Sequence, residues 1–186
     1  MTALATPELP TARLRLRPFE DGDTGDLLAL MGDAHVLRYW DAPAWTDPRR
    51  APAFVDRCRE MADEGSGVRP AVVDRTTGDF LGWLTLDGWD PTSRSASLGF
   101  CFVRRSWGRG VATEAVRALL DWAFGTLDLN RVQAEADTRN APCRRVLEKL
   151  GFVLEGTLRE DCVVDGVVSD SWVLGLLRRD RDASHP

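Results

Sequence analysis

Nowhere in its 186 residues does the chain carry a run approaching the roughly 20 apolar residues that a bilayer-spanning helix needs. Met1 to Pro10 lacks both the basic start and the apolar centre of a secretory leader, so a cytoplasmic protein with no membrane partner is expected. Cysteines are few: Cys58, Cys101, Cys143 and Cys162 form no C-x-x-C pair and no zinc spacing, which removes a disulfide framework and leaves no metal site to assign. Basic charge is not in excess. Lys and Arg number 24 against 29 Asp and Glu, a formal charge of −5, which argues against a nucleic-acid footprint and is compatible with a cationic, amine-bearing partner. Ordinary acid–base residues are scarce too: Tyr39 is the single tyrosine, His35 precedes an apolar stretch and His185 lies in the tail.

What is present is the material of a globular core, with 44% hydrophobic residues and 7 Trp. One domain is expected over 1–186, with loose tails at about 1–10 and 179–186. Arg13-Leu14-Arg15-Leu16-Arg17 alternates as a strand with one basic face, ended by Pro18. Asp21 or Asp23 caps a first helix through Leu27, Leu28, Leu30 and Met31. A second helix runs from Asp47 or Pro48 to about Glu64, burying Ala53, Phe54, Cys58 and Met61. Between them lie Tyr39, Trp40 and Trp45, candidate walls of an acceptor groove or ordinary core. Arg69 to Asp74, Phe80 to Leu86 and Ser97 to Val103 form an antiparallel meander. A helix from Val111 toward Gly125, its expected cap, then leads to a strand at Arg131 to Asp137; strand-helix-strand order implies a parallel pair. A helix opened by Asn140 and stopped by Gly151 precedes strands at Phe152 to Gly156 and Ser171 to Leu177, around a turn at Asp165-Gly166. The class is α+β with a mixed, mostly antiparallel sheet.

The chemistry centres on Arg104-Arg105-Ser106-Trp107-Gly108-Arg109-Gly110-Val111-Ala112-Thr113-Glu114, a glycine turn between strand and helix. The first N–H groups of a helix have no internal partner and the helix dipole adds positive charge there, so the turn is an anion site. No Lys-Ser or Lys-Thr follows the glycines, which removes the nucleotide-triphosphate loop, and the third glycine of the dinucleotide fingerprint is missing.

The remaining pattern, Arg105-x-x-Gly108-x-Gly110, resembles the acyl-coenzyme A pyrophosphate loop of the GNAT acetyltransferase superfamily. Asn140-Ala141-Pro142-Cys143 through Glu148-Lys149-Leu150-Gly151-Phe152 closely resembles a second GNAT segment, in particular of the RimJ/RimL type that acetylates ribosomal-protein N-termini. Leu14-Arg15-Leu16-Arg17-Pro18-Phe19 looks like that type as well. The resemblance implies the GNAT fold, helices on both faces of a sheet with a splayed parallel pair, and acetyl-CoA as cosubstrate. It assigns coenzyme contacts to Phe100, Cys101, Phe102, Val103, Arg105, Gly108, Arg109, Gly110, Val111, Ala112, Thr113, Asn140 and Cys143. The implied reaction is direct transfer of acetyl to a primary amine within a ternary complex, most of all a peptide or protein α-amino group. A small amine or aminoglycoside as acceptor, and a non-catalytic acyl-CoA-binding module, stay open, as does a homodimer. The family's base position is Ser97 here, which leaves the base among Asp87, Glu135, Asp137 or a water chain. The family serine facing the coenzyme sulfur is Cys143, a candidate general acid or a packing residue.

Overall fold

The alternation of Leu14-Arg15-Leu16-Arg17 buries both leucines and sets one strand of a nine-stranded sheet in the computed structural model, which describes residues 3–184. In chain order the elements are β1 (Leu9–Pro10), β2 (Leu14–Arg17), α1 (Thr24–Met31), α2 (Arg50–Asp63), β3 (Gly67–Val68), β4 (Ala71–Asp74), β5 (Phe80–Asp90), β6 (Ser95–Phe102), α3 (Val111–Thr126), β7 (Arg131–Asp137), α4 (Ala141–Lys149), β8 (Val153–Val164), β9 (Val167–Leu177) and α5 (Arg178–Ser184). The strands follow one another as β1-β2-β4-β5-β6-β7-β9-β8, with β3 also on β5. Every pair is antiparallel except β6 with β7, the two strands joined through α3. The expected α+β class and mixed sheet are therefore observed.

Each face of the sheet has its own core. Leu84, Leu86, Leu98 and Phe102 pack against Val111, Ala115, Leu119 and Ala123 of α3 and Leu147 of α4. On the other face Trp83 and Cys101 pack with Leu27, Leu30 and Met31 of α1 and Val55 and Cys58 of α2. From Gly82 to Asp87 of β5 and along β6, alternation thus sends even-numbered residues toward α3 and odd-numbered residues toward α1 and α2; before the register shift at Gly82 the order is reversed, with Phe80 on the α1/α2 side and Leu81 on the α3 side. Among the described residues no helix is long and apolar enough to cross a membrane.

Several local expectations need correction. The ends of the chain are ordered over much of the span expected to be loose: β1 pairs with β2, Leu4 N–H reaches Ala62 O at 2.8 Å, and α5 is tied down through Arg178 to Leu129 O and Phe124 O. His185 lies outside the described residues. Arg17 is not part of an exposed basic face; its guanidinium is buried against Asp23 through two 2.7 Å hydrogen bonds, which is how β2 fixes the start of α1. Val55 and Ala51, not Ala53, line the buried side of α2. Helix α3 continues past Gly125 to Thr126, since nothing there requires a left-handed turn.

Candidate active site

The glycine turn owes its shape to two residues with positive φ, Gly108 at 69° and Gly110 at 77°. Gly110 is the residue before α3, so its left-handed backbone turns the chain directly into the helix axis. Among the described residues the backbone N–H groups of Gly108, Arg109 and Gly110 donate to no partner. They add to the unpaired N–H groups of the first turn of α3, and together they form a concave donor array suited to a pyrophosphate. Arg105 carries its charge there but is not wholly free: its Nη2 donates to Phe80 O at 2.7 Å, tying the turn to the start of β5.

A brace that the sequence did not announce holds this turn. Arg13 Nη1 donates to Arg109 O at 2.9 Å, while its Nε and backbone N–H donate to Glu114 at 2.7 and 2.9 Å. Thr11 Oγ1 donates to the same carboxylate at 2.6 Å. Burial alone would raise the Glu114 carboxyl, but the Thr11 hydroxyl and the Arg13 donors outweigh it and hold the group below the usual range. The nearest sequence signal was a glutamate in the first turn of a helix, which reads as a solvated dipole partner.

The parallel pair opens as the resemblance implies. Strands β6 and β7 pair only from Ser95 with Arg131 to Leu98 with Ala134, although β6 continues to Phe102 and β7 to Asp137. Val103 N–H bonds Leu81 O at 2.9 Å, so odd-numbered residues of β6 turn their backbone groups to β5 and even-numbered ones toward β7. Past Leu98 this leaves Phe100 and Phe102 facing the gap. The Trp107 indole caps Phe102 O at 2.8 Å. The Phe100 amide and the Phe102 N–H remain open for an amide-bearing chain or a thioester oxygen. Cys101 and Val103 direct their backbone N–H groups away from the gap, and the Cys101 side chain belongs to the core under α1 and α2.

Asn140 closes the site on the other side. Its side chain accepts from Cys143 N at 3.2 Å and caps α4. Cys143 is half-buried against the α3-side core, and burial pushes its thiol up to about 12, an unfavourable setting for proton donation near neutral pH.

On the α1/α2 face, the register sets Asp87 directly opposite Ser97, and Thr85 opposite Gly99. Among the described residues Asp87 accepts one 3.3 Å bond from Thr85 Oγ1 and has no ion pair. Asp137 is instead engaged by Arg139 through its Nε at 2.9 Å, its Nη2 at 2.5 Å and its backbone N–H at 2.8 Å; the guanidinium first, then the N–H, lower its carboxyl. Glu135 is exposed and accepts from Gln133 at 3.1 Å.

Residues 33–40 arch over the gap. His35 stacks on Trp107 with centroids 5.9 Å apart, Arg38 Nη1 donates to His35 Nε2 at 3.0 Å, and Tyr39 lies between the guanidinium groups of Arg38 and Arg139, 4.7 and 5.7 Å from its ring centre. This chain of contacts links the glycine turn beyond β6 to the end of β7. Trp40 stands edge-on to Trp83 at 5.5 Å and is half-buried. Trp45 is 8% exposed and packs on Phe54, so it belongs to the core and not to a groove wall. In the sequence His35 is only the residue before an apolar stretch and Arg139 gives no signal, because the rings they meet, Trp107 and Tyr39, lie far along the chain.

The GNAT acetyltransferase domain model matches residues 13–153, the span that carries both the glycine turn and the Asn140 segment. The uncharacterized N-acetyltransferase p20 of Bacillus licheniformis is 31% identical over 172 residues, covering 92% of this chain and 97% of that protein. The spermidine N(1)-acetyltransferase of Escherichia coli K12 is 26% identical, covering 85% of this chain and 83% of its own. Among solved structures, Mycobacterium smegmatis RimJ in complex with CoA-disulfide superposes with a TM-score of 0.80 at 27% identity, covering 90% of this chain and 83% of that one. The splayed strands, the donor turn ahead of α3 and these likenesses agree: the chain belongs to the GNAT family and is an acetyl-CoA-dependent N-acetyltransferase.

Proposed function

We propose that the acceptor is the α-amino group of a peptide or protein N-terminus, as in the RimJ/RimL type, and that it approaches from the α1/α2 face. The donor turn lies at the start of α3, so the coenzyme enters from the α3/α4 face and its thioester meets the acceptor at the gap beside Gly99. The observation that carries the acceptor assignment is the rim: Arg38 and Arg139 flank Tyr39 at the mouth, and Arg139 neutralises Asp137. A polyamine is polycationic at neutral pH and needs several free carboxylates; this mouth presents guanidinium groups instead. An α-amine also needs less help to become neutral than an alkyl amine, its reference pKa being about 8 against about 10.4 for a lysine.

Within this reading Asp87 is the catalytic base, receiving the amine proton directly or through one water. Among the described residues it has no ion pair, and it sits across the ladder from the family's base position, so the carboxylate comes from β5 where the family draws it from β6. The Phe100 amide N–H stabilises the tetrahedral oxyanion. Cys143 serves packing, and the coenzyme leaves as a thiolate that solvent protonates. A homodimer, if formed, uses β8: this edge strand exposes Val153, Leu158 and Val163, and sedimentation of the parent against Val163→Glu checks it.

The test is acetyl-CoA-dependent thiol release with N-terminal peptides, spermidine and aminoglycosides offered side by side. Peptides are expected to respond most strongly. Turnover confined to spermidine or to aminoglycosides overturns the assignment.

A further inference from the structure

Arg69 stands out on the acceptor face because, among the described residues, no carboxylate answers its charge. Among the described residues it has no ion pair, and its Nε is buried without a hydrogen-bond partner. The guanidinium lies over Phe54 at 4.7 Å and over Trp83 at 5.4 Å, beside the Cys58 thiol, whose proton loss it favours against the larger effect of burial. Trp83 Nε1 is a second buried donor without an acceptor in the same cluster. The Cys58 sulfur is a weak acceptor for the guanidinium, but the buried Arg69 Nε and Trp83 Nε1 have none, a costly arrangement for a structural element because buried donors are almost always paired.

Register locates this group relative to the reacting centre. Gly67 pairs with Asp87 and Val68 with Leu86, Pro70 O accepts from Leu84 N at 3.1 Å, and Ala71 pairs with Trp83, so the chain from β3 into β4 keeps one register along β5. That register sets Arg69 beside Thr85, and Thr85 is beside Gly99. Arg69, Thr85 and Gly99 form one row across the sheet on the α1/α2 face, pointing from the gap toward α2. Two strand spacings of ~4.8 Å put Arg69 about 10 Å from Gly99, close to three residues of extended peptide at ~3.3 Å each. The Gly99 step of the row has no side chain, and the Thr85 methyl group packs close over it, since a Cβ at Gly99 would meet Thr85 Cγ2 at 2.9 Å.

We propose that Arg69 is a specificity residue that takes a carboxylate carried by the acceptor about 10 Å from the amine to be acetylated, such as an acidic side chain at the second or third position of a peptide. This rests on the α1/α2 face being the acceptor side. A guanidinium in an aromatic, part-desolvated setting pairs more strongly with a carboxylate than with a neutral amide, and it repels a second ammonium group on the acceptor.

The experiment compares peptides with Glu, Gln or Lys at the third position, together with ω-amino carboxylates of graded length. The parent enzyme is expected to favour Glu over Gln by about tenfold in kcat/KM, with Lys last. Arg69→Leu should bring the Glu-to-Gln ratio close to one, and Arg69→Lys should restore part of it; the Lys variant carries the comparison if the Leu variant does not fold. Calorimetry of the N-acetylated product peptides on the CoA-loaded protein reads the same preference without turnover. A parent that does not distinguish carboxylate from amide in either assay, or a preference that survives in Arg69→Leu, overturns the inference. If peptides neither react nor bind while ω-amino carboxylates of matching length do, Arg69 keeps its role and the peptide acceptor is what fails.

Discussion

As we propose them, the donor side and the acceptor side of this enzyme are built from different materials. At the donor side the working groups are backbone N–H groups: the turn from Gly108 into α3 and the unpaired stretch of β6. At the acceptor side they are side chains from distant segments, Asp87 on β5, Arg69 after β3, Tyr39 and Trp40 before α2, and Arg139 after β7. Backbone chemistry needs a local conformation, which a short motif can specify. Side-chain chemistry needs a tertiary arrangement, which no single stretch contains. The difference also separates their failures: damage to the donor side should remove activity toward every acceptor, whereas damage to the acceptor side should change which amines react and leave coenzyme affinity intact.

The largest effect tests the donor side. Gly110→Asp places a carboxylate in the anion site on a left-handed backbone position and should weaken CoA binding about 100-fold or more by calorimetry, with the circular dichroism of the parent retained. Unchanged affinity would break the comparison by removing the turn from the site. Next comes Asp87→Asn, which should lower kcat/KM about 100-fold near neutral pH, with the deficit shrinking at alkaline pH as the free amine becomes abundant, and with the CoA dissociation constant unmoved. A deficit that is flat with pH would make Asp87 a structural residue.

The two tryptophans sharpen the boundary between groove and core. Trp45→Ala should destabilise the fold by about 3–5 kcal/mol in urea, as expected of a buried indole, whereas Trp40→Ala should chiefly raise the acceptor KM. Equal loss of stability in both would assign Trp40 to the core as well. A smaller effect concerns the brace of the glycine turn. Glu114 has a lowered folded-state pKa, so its contribution is complete above the unfolded value of about 4.3 and disappears as pH falls through the folded value. Glu114→Gln should therefore flatten the acid limb of the stability curve below that pH, and weaken CoA binding a few-fold through Arg13 and the Arg109 carbonyl. The smallest effect is that of Cys143→Ala, where turnover at saturating substrates should stay within about twofold, since a thiol raised to about 12 has little capacity as an acid at neutral pH.

The order of elements from β2 to β9 apart from the short β3, the antiparallel meander, the parallel crossover, the cap at Asn140 and the stop at Gly151 were legible in the sequence, because each rests on local periodicity or on one residue's backbone preference; β1, β3 and α5 were not. So was the glycine turn between β6 and α3. Trp45 shows where legibility ended: an aromatic in a connecting segment reads alike whether it lines a groove or fills a core, and only its packing on Phe54 decided. The same holds for three acidic residues that the sequence left unranked. Register placed Asp87 across from Ser97, and an ion pair from Arg139 withdrew Asp137. Arg17 and Arg69 look equivalent as letters beside a proline, yet one is buried against Asp23 and the other stands unpaired over two aromatic rings. By itself the sequence determined the fold class, the family and the glycine turn ahead of α3, since those depend on spacing along the chain. The tertiary structure decided which charges are spent on one another and which remain for an acceptor, since electrostatic pairing depends on distances between strands that the chain brings together only on folding.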